Sequence, residues 1–496
     1  MSGSPGAVRH NAGTATVRAS AHPLNEPETM GLSLLARRAV TLLGLTLVLP
    51  GSAQVIAGNK RLGRAGLRVW LAVVLVAAGL GALAVLSRTT AIGVVTNSVA
   101  LLLLTAALVL GAVFWAVLWV DTWRLTRPRS LLARTRRSVG LATAVLLLLT
   151  SGSMLYAAKQ VYVGRNVLGS IFGGNTAVDA AEGRYNVLLL GGDSGRDRVG
   201  TRPDSITLVS IDADTGKPVM FGFARDTENI NFRPGSLMRR LMPQGWNCGD
   251  NCLLNGLYTW GQDNKAKFPA TVKNPGVEAT KEAVEALSGL DIQYYVLIDL
   301  KGFQKLIDAM GGLTVDVKKR TPVGGGGSPV RYYIEPGLQK LNGFNALWYA
   351  RSREGSNNYD RMARQRCVMD AMLQQLDPQT VVLKFQGLAE ASSSVVQTDL
   401  PESELGRFAD LALKARSQKI RTVNFVPPLM NPWRYDPKLI TSTVAATIAA
   451  ADAPPASKPS SAPTTSAATT ATPKPARTTK GGGAAEADLT AVCSAG

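Results

Sequence analysis

The segment WYARSREGSNNYDRMARQR holds five arginines, Arg351, Arg353, Arg361, Arg364 and Arg366, and no lysine. Arg351 and Arg353 alternate, so in an extended segment they point to the same side. Arg361, Arg364 and Gln365 fall at i, i+3 and i+4, one face of a helix that starts near Asp360. Helix faces of this composition are usually just solvated. Arginine without lysine nevertheless suits phosphate, because the planar guanidinium binds phosphate oxygens in pairs and a diphosphate needs several such partners to be neutralised. Two carboxylates fit the same chemistry. Asp193 lies just past the apolar run YNVLLL, and Asp204 sits immediately before SITLVSI. Carboxylates at the ends of adjacent strands can converge on one hard cation such as Mg²⁺, which takes oxygen ligands and substrate phosphates. Taken singly, each also reads as an ordinary turn residue. Arg225 and Asp226 follow a third apolar run, PVMFGFA.

Other chemistries are excluded by composition. The 496 residues contain two histidines, His10 and His22, both in a polar N-terminal stretch. Downstream there is no imidazole for a Ser-His-Asp triad, a Cys-His dyad or a histidine-ligated metal. Carboxylates, arginines, hydroxyls and an oxygen-bound cation remain.

The elements that must position these residues read as a mixed α/β domain over 181–442. Residues 185–190, 205–211, 218–224, 292–300 and 420–426, with LTVDV between, are short apolar, β-branched runs bounded by turn residues, hence buried strands. Helices are predicted over 276–289, 301–310, 359–376 and 403–416, and also over PGLQKLNGFNALWYA, which begins at Pro336. Gly324 to Gly327 mark a flexible loop.

A membrane region precedes this domain. Residues 1–33 are polar and read as a disordered cytoplasmic tail, and 34–157 contain four apolar stretches: 39–57, 67–86, 93–120 and 139–157. The last three are long enough to cross hydrocarbon. Of the net charge of +19, +12 falls within residues 1–157, so the basic excess reports membrane topology rather than nucleic-acid binding. Arg124, Arg127, Arg129, Arg134, Arg136 and Arg137 place the connection between the third and fourth stretches in the cytoplasm, and residues 158 onward outside it. Both flanks of 39–57 are basic. That stretch therefore reads as a re-entrant or interfacial hairpin bent at Pro50-Gly51, or else as a span with the N-terminus outside. Residues 158–180 form a juxtamembrane linker, and 443–496 a Pro/Ala/Ser/Thr-rich extended tail. The four cysteines, Cys248, Cys252, Cys367 and Cys493, all lie in the outer portion, which permits disulfides. Cys248 and Cys252 are close enough to close a tight loop, and Cys367 then has Cys493; spacing does not fix the connectivity. A zinc site competes, disfavoured by the missing histidines.

Six motifs in one order, VLLLGGDS, RPDSITLVSID, ARDT, YYVLIDLKGFQKLIDAMGGLTVDV, GLQKLNGFNALWYARSR and DRMARQ, resemble the LytR-CpsA-Psr family over about 185–375, more weakly to about 440. The Pro/Ala/Thr tail looks like that of actinobacterial members. The resemblance implies a three-layer α/β/α extracytoplasmic domain behind a membrane anchor. It implies a transferase that takes a glycopolymer, with one phosphate, from a polyprenyl-pyrophosphate carrier to peptidoglycan, with no nucleic-acid partner. The actinobacterial look favours arabinogalactan as the glycan. Carried over by position, Asp193 and Asp204 match the carboxylates associated with Mg²⁺. Arg202, Arg225, Arg351, Arg353, Arg361 and Arg364 match the arginines that hold the pyrophosphate, and Gln365 and Asp360 the helix motif beside them. Many members read Asp-Ser-Arg where this chain has Asp193-Ser194-Gly195, with Arg196 one residue later. The catalytic set implied is Asp193, Asp204, Arg225, Arg351 and Arg353. An aspartate is expected to take the acceptor's proton, and Asp226, Asp360 and a non-chelating oxygen of Asp193 or Asp204 all remain candidates. The alternative function is a non-catalytic membrane scaffold that binds lipid-diphosphate-linked wall polymers.

Overall fold

The computed structural model describes residues 32–172, 176–193, 202–249, 251–325, 328–375, 396–453 and 487–488. They fall into two compact units, one drawn from 1–86 and 102–162, the other from 87–101 and 163–496.

The first unit is helical. Helix α1 (Leu32–Val48) ends before Pro50-Gly51, and the short α2 (Ser52–Ala57) follows directly. Gly51 adopts φ +98°, and a Cβ there would fall 2.4 Å from the Gly63 carbonyl oxygen, so the turn lies backbone to backbone on α3 (Lys60–Leu86). Gln54 of α2 donates through Nε2 to the Leu118 carbonyl at 3.0 Å and to Thr122 Oγ1 at 2.9 Å. The Thr122 hydroxyl in turn meets Thr46 of α1 at 2.8 Å. Among the described residues, three helices are long and apolar enough to cross a membrane: Lys60–Leu86, Ser98–Ser130 and Ala133–Phe172.

Two boundaries differ from the sequence expectation. The stretch 93–120 is not continuous. The connection before it is helix α4 (Arg88–Thr96), and α5 (Ser98–Leu125) restarts after Asn97, whose Oδ1 accepts from the amides of Val99 and Ala100 at 3.0 Å each. Asparagine is a strong N-cap, and here it overrides an apolar pattern that runs through it. Helix α6 (Ala133–Phe172) continues fifteen residues past 157, so most of the expected linker is helix.

The second unit is built on a seven-stranded sheet of order β11-β10-β3-β2-β1-β4-β9. The strands are β1 (Arg184–Asp193), β2 (Arg202–Asp212), β3 (Pro218–Phe223), β4 (Tyr294–Asp299), β9 (Val396–Thr398), β10 (Arg421–Phe425) and β11 (Ala487–Asp488). β1 and β4 run parallel, as do β3 and β10, and the other pairs are antiparallel. Strand alternation sends Leu188, Leu190, Leu208, Phe221 and Phe425 to one face. There they are buried under helices α8 (Gly256–Asp263), α9 (Pro275–Ser288) and α14 (Pro437–Asp452). Each such side chain contributes about 1.5–3 kcal/mol by leaving water. The opposite face packs Tyr185, Val187 and Tyr294 against α13 (Leu405–Ala415), and Val209 and Met220 against α12 (Asn358–Gln375). Helices on both faces make the three-layer α/β/α arrangement expected.

Beside the sheet lie two small antiparallel pairs, β5 (Leu313–Val317) with β8 (Gly337–Leu341) and β6 (Thr321–Gly325) with β7 (Ser328–Ile334). They share a core with α10 (Leu300–Ala309), α11 (Gly343–Arg351) and α12. Here the reading of PGLQKLNGFNALWYA as one helix is corrected: its first part is β8, in register with β5 from Leu313↔Leu341 to Val317↔Gly337. The helix begins at Gly343, where Asn342 Oδ1 accepts the Asn345 amide. The expected boundary at 442 falls inside α14, whose Ile440, Val444 and Thr447 are buried, and whose Asp452 pairs with Arg184 at 2.7 Å. Cys248 and Cys252 are joined. Cys367 is disulfide-bonded as well, while Cys493 lies outside the described residues.

Candidate active site

A cavity of about 580 Å³ opens on the second sheet face, at the C-terminal ends of the parallel strands β1 and β4. Its walls are apolar over most of their extent: Leu189 and Leu190 of β1, Val296 and Ile298 of β4, Phe303 and Leu306 of α10, and Met369 and Met372 of α12. The lining also includes the charged residues Asp204, Asp299, Arg351, Arg353, Glu354 and Arg361.

Asp204 owes its direction to a β-bulge. Gly191 pairs with Ser205 and Gly192 with Pro203, so Asp204 is the extra residue on β2. A bulge breaks strict alternation and re-aims the side chains around it. Asp204 and its neighbour Ser205 consequently both line the cavity. Arg225, just beyond β3, donates through Nη1 to Asp204 Oδ1 at 2.5 Å. Arg361 Nη1 and Arg353 Nη2 stand 3.7 and 3.8 Å from Oδ2. Burial alone would push the Asp204 carboxyl up; the guanidinium of Arg225, followed by those of Arg361 and Arg353, outweighs it and holds the group below the usual carboxylate range.

Arg361 is the most enclosed cation of the site, 2% exposed. Its Nη2 donates to the Asp204 carbonyl at 3.1 Å and to Asn358 Oδ1 at 2.6 Å, while its Nε has no hydrogen-bond partner among the described residues. Burial, together with Arg225 and Arg353 and against the pull of Asp204, lowers its pKa to about 10. It therefore stays charged at neutral pH. A buried guanidinium with an unmet N–H suits an anionic oxygen. Arg351 lies 5.1 Å from the ring centre of Trp348, which also lines the cavity.

The helical-face reading grouped Arg364 with Arg361, but the two are used differently. Arg364 does not line the cavity. Its Nε donates to the Tyr349 carbonyl at 2.8 Å and its Nη2 to the Ser352 carbonyl, so it fixes the turn that presents Arg351 and Arg353. Gln365 does line the cavity. Arg202 is exposed, opposite Asp193 in the β1–β2 register, and Arg225 reaches the site through Asp204 rather than lining the cavity itself. Of the proposed bases, Asp360 caps α12: Asn357 Oδ1 accepts the Asp360 amide at 2.8 Å, and Asp360 Oδ2 accepts the Asn357 amide at 3.4 Å. Asp226 takes a 3.5 Å contact from Asn358 Nδ2, and neither aspartate lines the cavity. Asp193 ends β1 and its side chain lies outside the described residues, as does Arg196.

The sequence reading missed Asp299, Glu354, Trp348 and Asn358. Asp299 was legible as an N-cap, since it precedes α10 and accepts the Gly302 amide at 2.6 Å. Glu354 carried no such signal.

Among the described residues, no group of three or more acidic, cysteine or histidine side chains gathers for a metal. Asp204 with Asp193 on the neighbouring strand fits Mg²⁺ in donor chemistry, because this ion is commonly held by one or two carboxylates and completed by substrate phosphates.

The LytR_cpsA_psr family model matches residues 166–433, more than half of the sequence, and the chain belongs to that family. It is 26% identical to the polyisoprenyl-teichoic acid–peptidoglycan teichoic acid transferase TagV of Bacillus subtilis over 257 residues, 50% of this chain and 58% of that one. It is 28% identical to the transferase of the same description, TagU, of Oceanobacillus iheyensis, over 53% of this chain and 76% of that one. The chain thus spans little more than half the length of TagV. The crystal structure of B. subtilis TagV superposes with a TM-score of 0.40 at 23% identity, covering 55% of this chain and 100% of that one.

Proposed function

We propose that this protein is a membrane-anchored transferase that moves a glycopolymer from a polyprenyl-pyrophosphate carrier to peptidoglycan. One observation carries the reading: a single cavity is lined both by Arg351, Arg353 and buried Arg361 and by leucine, isoleucine, phenylalanine and methionine. A prenyl pyrophosphate has those two halves. The names of TagV and TagU, which describe polyisoprenyl-linked polymer transfer to peptidoglycan, point the same way.

In this reading Arg351, Arg353 and Arg361 bind the pyrophosphate, and Gln365 orients it. An acceptor hydroxyl attacks the glycan-side phosphorus, and negative charge grows on the bridging oxygen. Preorganised guanidiniums stabilise that charge, the main requirement of phosphoryl transfer. Mg²⁺ held by Asp193 and Asp204 would add Lewis-acid stabilisation at the phosphate oxygens. Arg225 acts through Asp204, which it holds in place. The distribution of basic residues supports an orientation with residues 158 onward outside the cytoplasm, on the side where peptidoglycan lies. Arabinogalactan is the glycan we favour, from the composition of the tail.

The test is turnover by the purified full chain in lipid nanodiscs with Mg²⁺, a synthetic prenyl-pyrophosphate-linked disaccharide and uncrosslinked peptidoglycan strands. Release of prenyl phosphate coupled to sugar-phosphate on the strands is expected. A protein that neither binds nor cleaves the donor would refute the proposal. Mass spectrometry of co-purifying lipid would name the carrier.

A further inference from the structure

Of the five arginines in the segment 348–366, Arg366 has no part in the site described above. It lines a second, smaller cavity of about 30 Å³ between α12 and the sheet. Among the described residues it has no ion-pair or hydrogen-bond partner, and its Nε is fully buried. Burial lowers its pKa and no neighbouring carboxylate opposes the shift, yet a guanidinium stays charged in a protein.

Strand register makes the cavity. Thr207 of β2 pairs with Gly222 of β3, and Gly222 with Asn424 of β10, so the three form one row on the face that α12 covers. The middle of the row carries no side chain. A Cβ on Gly222 would collide with Asn424 Oδ1, so the glycine leaves the space into which the Asn424 amide turns. Ser205 and Thr422 extend the floor, and Gln365 and Arg366 close it from α12. None of the side chains of Ser205, Thr207, Gln365, Thr422 and Asn424 has a hydrogen-bond partner among the described residues. Thr422 is nevertheless only 1% exposed. Buried polar groups in this state call for a partner, and hydroxyls, amides and a guanidinium together offer donors in excess.

The charge balance gives the sign of that partner. The one carboxylate in the lining, Asp204, is already outnumbered by Arg225, Arg353 and Arg361, and Arg366 leaves the region net positive. Size narrows it further. A water needs roughly 10–15 Å³ of such space, so the cavity takes a monatomic anion and not a diphosphate.

We propose that this cavity binds a halide ion, chloride under ordinary conditions, held by Arg366 and by the hydroxyl and amide hydrogens of Thr207, Thr422 and Asn424. The ion neutralises Arg366 and ties α12 to β2, β3 and β10. It takes part in no step of the transfer and does not depend on the transferase function. Ser205, Thr207 and Gln365 line both cavities, so the ion lies directly behind the larger one and steadies the helix that carries Arg361.

The experiment follows thermal unfolding of the full chain in nanodiscs at constant ionic strength while sodium gluconate is replaced by sodium chloride or bromide. Hydrogen exchange of α12 is measured alongside. A saturable rise in Tm of about 2–4 °C is expected, with bromide replacing chloride and exchange in α12 slowed. Arg366→Gln removes the charge and should lose the response. Thr422→Val keeps the shape, removes one donor and should raise the half-saturating chloride concentration about fivefold or more. That variant carries the test if Arg366→Gln does not fold. A wild type that gives no response, as a cavity holding water only would, overturns the proposal. So does a response that the variants keep unchanged, which is a general salt effect.

Discussion

Arg361 donates to the backbone carbonyl of Asp204 across 157 residues of sequence, and its second terminal nitrogen lies 3.7 Å from that same residue's carboxylate. One buried side chain thus ties α12 to the bulge of β2 and sets the spacing between the carboxylate and the arginine turn. Binding and folding overlap at this residue. They separate at its neighbours, which is where experiments gain most.

Arg351→Ala/Arg353→Ala should weaken donor binding and leave the fold alone. Both side chains are partly exposed, so chemical denaturation should shift by no more than about 0.5 kcal/mol, while donor affinity falls about 100-fold or more as two charge-assisted contacts are lost. Arg364→Ala should behave in the opposite order, losing about 2–3 kcal/mol of stability as the Tyr349 and Ser352 carbonyls lose their donor. Its effect on donor affinity should be smaller than that of the double variant. Titration of a prenyl pyrophosphate alongside urea denaturation distinguishes the two.

Asp204→Asn should destabilise the protein in a pH-dependent way. The folded-state pKa of Asp204 lies below the unfolded value of about 3.9, so its carboxylate stabilises the fold above that pH. The contribution is lost as pH falls through the folded value. Near pH 7 the variant should be less stable by on the order of 2–4 kcal/mol, because it leaves the buried Arg361 guanidinium without its counter-charge. The gap to wild type should close on acidification below about pH 4. A constant gap from pH 7 to pH 3 would contradict this.

Asp399→Asn should do the reverse. Burial pushes the Asp399 carboxyl up to about 6, against the Tyr295 amide that it accepts at 2.7 Å. A folded pKa above the unfolded one makes stability fall as pH rises from about 4 to about 6. Asparagine can still accept that amide and removes the buried charge, so its Tm should exceed wild type by a few degrees at pH 8. The difference should vanish near pH 4.

Gly51→Ala should destabilise the helical unit by about 1–3 kcal/mol, through positive-φ strain and collision with the Gly63 carbonyl. Gly79→Ala is the control: no atom lies within 4 Å of its added methyl, and a helical alanine is favoured over glycine. Thermal unfolding of the two variants in the same detergent measures the contrast.

The apolar strands were legible because alternation and burial are written locally, and the α/β/α order follows from them. The Arg351–Arg353 pair was legible by residue type and not by alternation in an extended segment, because Arg351 is the last residue of helix α11. The difference between Arg361 and Arg364 was not. They share a helix face, and what separates them is the element opposite: a β2 carbonyl for one, the carbonyls of the 349–352 turn for the other. β8 was misread because GLQKL has no local feature to oppose the helix that follows, and its strand state comes from pairing with β5. Glu354 was invisible because its place depends on Gly325, about thirty residues earlier, whose missing side chain leaves it room. Asp360 drew attention as a base, and its part in the cap of α12 was also legible, from its spacing from Asn357.

The bulge in β2 makes the site a matter of counting as well as of residue type. Deleting Pro203 would leave Asp204 and every arginine of the site in the sequence. Yet it would remove the surplus residue and let the ladder with β1 run unbroken, so that Asp204 and Ser205 return to opposite faces. A homologue with all the motif residues but one residue fewer between Arg202 and Ser205 would therefore carry the signature of this chemistry without its carboxylate facing the cavity.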